Sequence, residues 1–294
     1  MKRVVVDPKL FSQLEGIRVR AARPGAGHFM GLHRSLHRGS SVEFAQHREY
    51  APGDPIGRVD WKVFAKNDRF FVKEYDDETN LRVFIALDAS ESMAYGVDGE
   101  ADKMTSACRL VAGLAWFLLK QGDAVGLVTF GEGIRSFIPP NAQASHFWRM
   151  VGALEQAVPK GATQLSKSLD QIAERCPRGS FVLLVSDMLE FDERFLGRLK
   201  QLQRRHQQVV VLHILHRHEI TFPFDELTLF EGLEGGAEIL ADPRGMKAEY
   251  LKAFAGWQAQ LRTSLLDGNV AYFPWVTDTP AHQPIYQILE GRAP

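Results

Sequence analysis

From residue 81 onward the chain repeats one alternation: a short, uninterrupted apolar run, then a longer stretch with apolar residues at every third or fourth position. The runs at 81–87, 124–130, 181–186 and 208–215 read as strands buried on both faces, because a strand with one wet face would alternate apolar and polar residues. The amphipathic stretches at 103–121, 143–158, 165–175 and 191–205 read as the helices that cross over between parallel strands. A short hairpin partner at 134–138 follows the second strand. The tail adds a hairpin at 227–240, a helix at 246–266, and a last strand and helix ending near Leu289. This pattern predicts an α/β fold, a doubly wound, mostly parallel sheet covered on both faces.

Residues 1–78 follow no such rhythm. Asp7-Pro8 supplies an N-cap and a first-turn proline for a helix carrying Leu10, Leu14 and Ile17 to about Ala22. Residues 23–41 are Gly, His, Arg and Ser with poor periodicity, which predicts an exposed loop. Residues 41–62 mix charge and aromatics without a period, and 69–75 alternate well enough for an edge strand. The expected organisation is an N-terminal segment, 1–78, packed on a main domain, 79–294, with no repeat and no low-complexity tract.

Composition narrows the partners. A chain of 294 residues, 45% apolar and 24% charged, can bury a substantial core. With 35 basic against 36 acidic residues it has no general field to draw in nucleic acid or an anionic membrane, despite local basic stretches at 18–23 and 34–38. Cys108 and Cys176 lie far apart and outside any paired motif, so a reduced, cytoplasmic protein is expected. No signal peptide is read after Met1-Lys2-Arg3, and the apolar run at 110–119 is too short to be an integral membrane segment.

The chain lacks the glycine-rich phosphate loops, the Gly-x-Ser-x-Gly elbow and the His-Glu-x-x-His pair that announce common enzyme classes. Its positive signal is positional. In an open parallel sheet, ligands bind beyond the carboxyl ends of the strands, at the switch point. Asp88, Ser90 and Ser92 follow one predicted strand, Asp187 ends another, and Thr163 stands just ahead of a predicted helix. Two acids and three hydroxyls are hard oxygen donors, a set that suits Mg²⁺ or Mn²⁺ and not zinc.

Asp88-x-Ser90-x-Ser92, then Thr163, then Asp187, resembles the metal-ion-dependent adhesion site of von Willebrand factor type A domains in order and in the elements that carry it. The resemblance implies direct ligation by Ser90 and Ser92, action of Asp88 and Asp187 largely through water, and a state-dependent role for Thr163. It also implies an open position for a carboxylate from an acidic residue of a partner protein, with Glu91 between the serines placed to tune partner choice. Two other readings compete. Asp88 and Ser90 can simply cap a turn, but that does not call for Thr163 and Asp187. Asp88 can be the nucleophile of a Mg²⁺-dependent phosphohydrolase, but such sites need a second acid where Ser90 stands. A scaffold with a vestigial site is a third possibility.

A second resemblance lies upstream. Glu43-Phe44, Arg48, Tyr50, Pro52-Gly53-Asp54 and Arg58-Val59-Asp60-Trp61 are similar to the signature of domain-of-unknown-function family 58. Gly122-Asp123-x-Val125-Gly126-Leu127, the stretch from Glu219 to Phe224, and Ala241-Asp242-Pro243 ahead of a helix with Tyr250 agree with it. The chain departs at Pro55, where a second acid is usual, at His216, and in lacking the upstream membrane helices of many relatives. Membership implies a non-enzymatic partner of a MoxR-type AAA+ ATPase in chaperone-like maturation or assembly. Arg48, Asp54, Arg58 and Asp60 form either a partner-facing surface or an internal charged network, and interleaved Tyr50 and Trp61 favour the network. His213, His216 and His218 invite a zinc reading, yet strand alternation sends His213 to the opposite face from the other two. Trp116-Phe117 and Phe147-Trp148 read as core.

Overall fold

The computed structural model describes residues 4–15, 43–52, 54, 57, 59–67, 69–76, 81–97, 99–205, 207–232 and 238–291, with side chains at all of these except 43–47, 66, 67 and 73–76. The N-terminal segment carries helix α1 (Pro8–Glu15), strand β1 (Glu43–Glu49), helix α2 (Trp61–Asn67) and strand β2 (Phe71–Asp76). Then come β3 (Arg82–Asp88), a single 3-10 turn (Glu91–Ala94), α3 (Lys103–Lys120), β4 (Ala124–Phe130) and β5 (Ile134–Asn141). The chain continues through α4 (His146–Gln156), α5 (Leu165–Arg175), β6 (Phe181–Ser186), α6 (Glu193–Arg204) and β7 (Gln208–Leu215). It ends with α7 (Arg217–Thr221), β8 (Thr228–Phe230), β9 (Ile239–Ala241), α8 (Pro243–Asp267), β10 (Ala271–Val276) and α9 (His282–Glu290).

The uninterrupted apolar runs form a six-stranded sheet in the order β10-β7-β6-β3-β4-β5. Every neighbouring pair is parallel except β4 and the edge strand β5. This is the doubly wound, mostly parallel α/β architecture that the type A resemblance implies. The winding reverses between β3 and β6, which are neighbours in space but lie on either side of the whole β4–α5 excursion, so the switch point falls between their carboxyl ends.

Because both faces are covered, alternate residues of one strand enter two different cores. Val83, Ile85 and Leu87 face a layer made by α1, α3, α4 and α9. Phe84 and Ala86 face a layer made by α5, α6 and α8. Helix α3 is buried nearly all round, from Met104 to Leu119, with the Asp102 side chain capping its first turn through Thr105 N. Asp7 caps α1 as expected, accepting from Lys9 N and Leu10 N. Helix α1 then lays Leu10 and Leu14 into the first core and stacks Phe11 on Trp116 at 5.0 Å. The approach is close: a Cβ at Gly113 of α3 would lie 2.6 Å from Leu10 Cδ2.

Several expectations need correction. Residues 41–62, read as aperiodic, contain β1 and the start of α2. Strand β1 pairs antiparallel with β2 through a register shift between Phe44 and Gln46, and a bulge of that kind removes the alternation a sequence reader looks for. Helix α2 is short and depends on one cap, the buried Asp60, whose Oδ1 accepts from Lys62 N and Val63 N. Strand β5 runs past Ile138 through two prolines to Asn141, tolerated because it is an edge strand with a register irregularity there. Trp148 is 65% exposed while Phe147 is buried. Adjacent helical residues point about 100° apart, so one of the two had to leave the core. The predicted loop at 23–41, and the helix beyond Glu15, lie outside the described residues.

Leu14 is fully buried. Leu14→Ala should lower unfolding free energy by about 2–5 kcal/mol with an unchanged denaturant slope. A loss under about 1 kcal/mol in urea titration would mean that α1 adds little to the core.

Candidate metal centre

Strand β3 delivers Asp88 to the switch point with no solvent exposure. Its Oδ1 accepts from Ser90 N at 2.9 Å and from Thr163 Oγ1 at 3.0 Å, and its Oδ2 accepts from Ser186 Oγ at 2.7 Å. Donors from the turn after β3, the loop before α5 and the end of β6 therefore engage both oxygens of the carboxylate. Ser90 and Ser92 flank Glu91 at the start of the 3-10 turn, which brings their hydroxyl oxygens to 3.0 Å from each other.

The Thr163 loop is clamped to that turn from both sides. Glu91 N donates to Gly161 O at 2.8 Å, and Gly161 N donates to Glu91 Oε2 at 3.2 Å. Gly161 takes φ +61°, a left-handed conformation that suits glycine. Lys160 N donates to Ala89 O, and the Arg135 guanidinium donates to Ala89 O, Val158 O and Lys160 O. Glu91 remains exposed, but its carboxylate braces this loop.

Asp187 follows β6, where the backbone turns sharply: buried Met188 adopts φ +58°, and its N–H donates to Ser186 Oγ at 3.0 Å. A non-glycine residue held in that region marks local strain that its surroundings impose. The Asp187 carboxylate does not stand alone. Lys103 Nζ, the first residue of α3 and 1% exposed, donates to Asp187 Oδ2 at 2.7 Å and to Glu219 Oε1 at 2.9 Å. Glu219 belongs to α7, where its other oxygen accepts from His216 N at 2.6 Å in a capping box.

The charges at this edge are coupled through burial. Burial first, then repulsion from Asp187, raises Asp88 from 3.8 to about 6, against the lowering effect of its hydrogen bonds from Ser186 and Ser90. Burial acts against the Lys103 ammonium, yet attraction to Asp187 and Glu219 outweighs it and holds lysine above its ordinary range. On the second face, burial pushes His213 down to about 4, and its Nδ1 pairs with the Tyr272 hydroxyl at 2.6 Å.

The donor set fits a hard divalent cation. Thr163 and Ser186 each direct a proton at Asp88, which leaves the Thr163 oxygen with lone pairs to offer, and one of the Ser90 and Ser92 hydroxyls donates to the other. Among the described residues no group of three or more His, Cys, Asp or Glu gathers that could hold a metal ion, so a cation here would rest on hydroxyl oxygens as well as the acids. The histidine trio divides: His213 packs on Tyr272, while the rings of His216 and His218 meet at 4.9 Å and His216 accepts from His218 N as the N-cap of α7, a helix that strand alternation could not anticipate. Ser92 also lines a cleft of about 360 Å³ with Tyr95, Leu189, Phe222, Phe224 and Tyr250. Phe222 caps α7 at φ +45°.

The structure thus joins Asp88, Ser90, Ser92 and Thr163 by hydrogen bonds and sets Asp187 beside them with its own counter-ion. Arg48 and Asp54 pair with each other at 2.9 Å in the N-terminal segment, and Arg58 lies outside the described residues. Sequence reasoning missed Lys103, Ser186 and Glu219. A lysine opening a helix, where the dipole disfavours a cation, was the one local signal.

Asp88 and His213 set opposite pH dependences. Asp88 has a raised folded pKa, so stability falls as pH rises from 3.8 through about 6, by on the order of 3 kcal/mol. His213 has a depressed one, so stability rises with pH from about 4 through 6.5 by a similar amount. The wild-type contributions of these two groups nearly cancel, and Asp88→Asn should expose a net gain of about 3 kcal/mol across that window. Urea unfolding in EDTA at a series of pH values checks this; parallel profiles for the two chains would exclude a raised Asp88.

Comparison with known proteins gives the family. The "Uncharacterized protein Rv1480" of Mycobacterium tuberculosis is 22% identical over 264 residues, covering 88% of this chain and 82% of its own. The "Uncharacterized protein YeaD" of Bacillus subtilis is 23% identical over 165 residues, covering 56% of this chain and 39% of its own. Among solved structures, the conserved hypothetical protein BatB from Bacteroides thetaiotaomicron is 18% identical, covering 71% of this chain and 97% of that one at a TM-score of 0.48. Residues 46–260 match the family described as "Protein of unknown function DUF58", and the chain belongs to that family.

Proposed function

We propose that this chain is a non-enzymatic interaction module that recognises an acidic residue of a partner protein through a divalent cation, Mg²⁺ or Mn²⁺. The observation that carries the reading is the engagement of both oxygens of Asp88 by protein donors. A carboxylate that accepts from Ser90 N, Thr163 Oγ1 and Ser186 Oγ, with no exposed surface, is an organiser of hydroxyl ligands and a poor nucleophile. Ser90, Ser92 and Thr163 would hold the ion, with Asp88 and Asp187 supplying charge behind them. When bound, such an ion supplies a strong, directional contact for a carboxylate. Resemblance within the family suggests a MoxR-type AAA+ ATPase as the partner and assembly or maturation of other proteins as the process. No described helix is long and apolar enough to cross a membrane.

Ser92→Ala is the cleanest test, because the Ser92 hydroxyl meets the Ser90 hydroxyl and makes no hydrogen bond to Asp88 itself. Capture of the ATPase from native extract in Mg²⁺ should fall about tenfold or more for Ser92→Ala and for wild type in EDTA, with unchanged thermal unfolding of the variant. Equal capture in all three conditions would remove the metal from the mechanism. A generic phosphate ester should not turn over in Mg²⁺; turnover abolished by Asp88→Asn would restore the phosphohydrolase reading.

A further inference from the structure

Lys103 has no part in the ligand set just described, yet the fold holds it at two costs. It opens α3, where the positive end of the helix dipole disfavours a cation, and it is 1% exposed, where desolvation penalises any charge. Both are offset by contacts with Asp187 at 2.7 Å and Glu219 at 2.9 Å. The ammonium therefore stands on one of the two acids that the cation site depends on.

We propose that Lys103 is a built-in counter-ion that competes with a divalent cation for Asp187, with Glu219 as the seat that keeps the ammonium when it yields. The inference rests on the reading of Asp88, Ser90, Ser92, Thr163 and Asp187 as a cation site, and names how that site is regulated. Glu219 suits the role because His216 N fixes its second oxygen at 2.6 Å and Tyr250 donates to its backbone carbonyl at 3.1 Å, so the seat does not depend on Asp187. A lysine stem is flexible and its ammonium has three donors, so Lys103 can release Asp187 while still held by Glu219. The Tyr95 ring, 6.0 Å from Nζ, lines the same side. In this arrangement Asp187 has a counter-ion without metal, and the site's affinity for one is set below what the five oxygens alone would give.

Calorimetric titration with Mn²⁺ tests this on the full chain. Lys103→Met should bind about tenfold more tightly or better, the effect of removing a like charge within a few ångströms. Lys103→Arg, which keeps the charge, should not tighten binding. Lys160→Met, which removes an exposed cation from the Thr163 loop, should change affinity far less than Lys103→Met. If Lys103→Met does not fold, Lys103→Met/Glu219→Gln removes one charge of each sign and carries the same expectation of tighter binding. Wild-type binding that is unchanged or weakened in the folded Lys103 variant overturns the counter-ion and leaves the cation site standing. No binding by wild type or any variant overturns both. Binding that appears only when Lys103 is removed supports the counter-ion in its strongest form.

Discussion

Two buried carboxylates at neighbouring strand ends cannot both be charged without help, and the architecture around the switch point is organised by that constraint. Asp88 and Asp187 follow β3 and β6, parallel neighbours in the middle of the sheet, so their proximity is fixed by the strand order itself. Each acid has its own solution. Asp88 takes three neutral donors and still sits at about 6, because burial and its neighbour outweigh those hydrogen bonds. Asp187 takes a full positive charge from Lys103. The difference follows from position: Asp88 is enclosed by backbone and hydroxyls, whereas Asp187 faces the start of α3 and α7.

Meeting that constraint demands rigidity from loops that would otherwise be soft. The turn after β3 and the loop before α5 are tied by reciprocal bonds between Glu91 and Gly161, and by Arg135 reaching the carbonyls of Ala89, Val158 and Lys160. Two non-glycine residues at positive φ, Met188 and Phe222, stand beside the site, and both are buried. Packing holds them in conformations that an isolated chain would avoid. Hydroxyl ligands contribute little charge, so their value lies in fixed direction, and these clamps provide it.

What could be read from the sequence was what depends on local pattern. Four uninterrupted runs became four parallel strands because burial on both faces leaves no polar face to encode. That Asp88, Ser90, Ser92 and Asp187 would lie at one edge of the sheet was legible because strand ends are predictable positions, and Thr163 was read from its place just ahead of α5. Lys103, Ser186 and Glu219 were not, because their partners are 84, 98 and 116 residues away in sequence. Nothing in a helix-opening lysine states which acid it will meet. Strand β1 and helix α2 escaped for a different reason: a bulge and a single buried cap define them, and neither leaves a period. His213 does stand apart from His216 and His218, although the latter two lie at the start of a helix and not on the strand, because the chain leaves β7 at Leu215.

Helix α7 is the element that belongs to both halves of the site. Its Glu219 side chain holds Lys103 on the charged side, while its Glu219 carbonyl accepts from Tyr250 and its cap, Phe222, packs 4.5 Å from the Tyr250 ring on the apolar side. The same cleft reaches Ser92 at one end. Asp187, Lys103 and Glu219 thus form one chain of direct contacts that ends at the aromatic wall. Lys103, shared between Asp187 and α7, is a single flexible side chain that touches both the sheet edge and the helix lining the cleft.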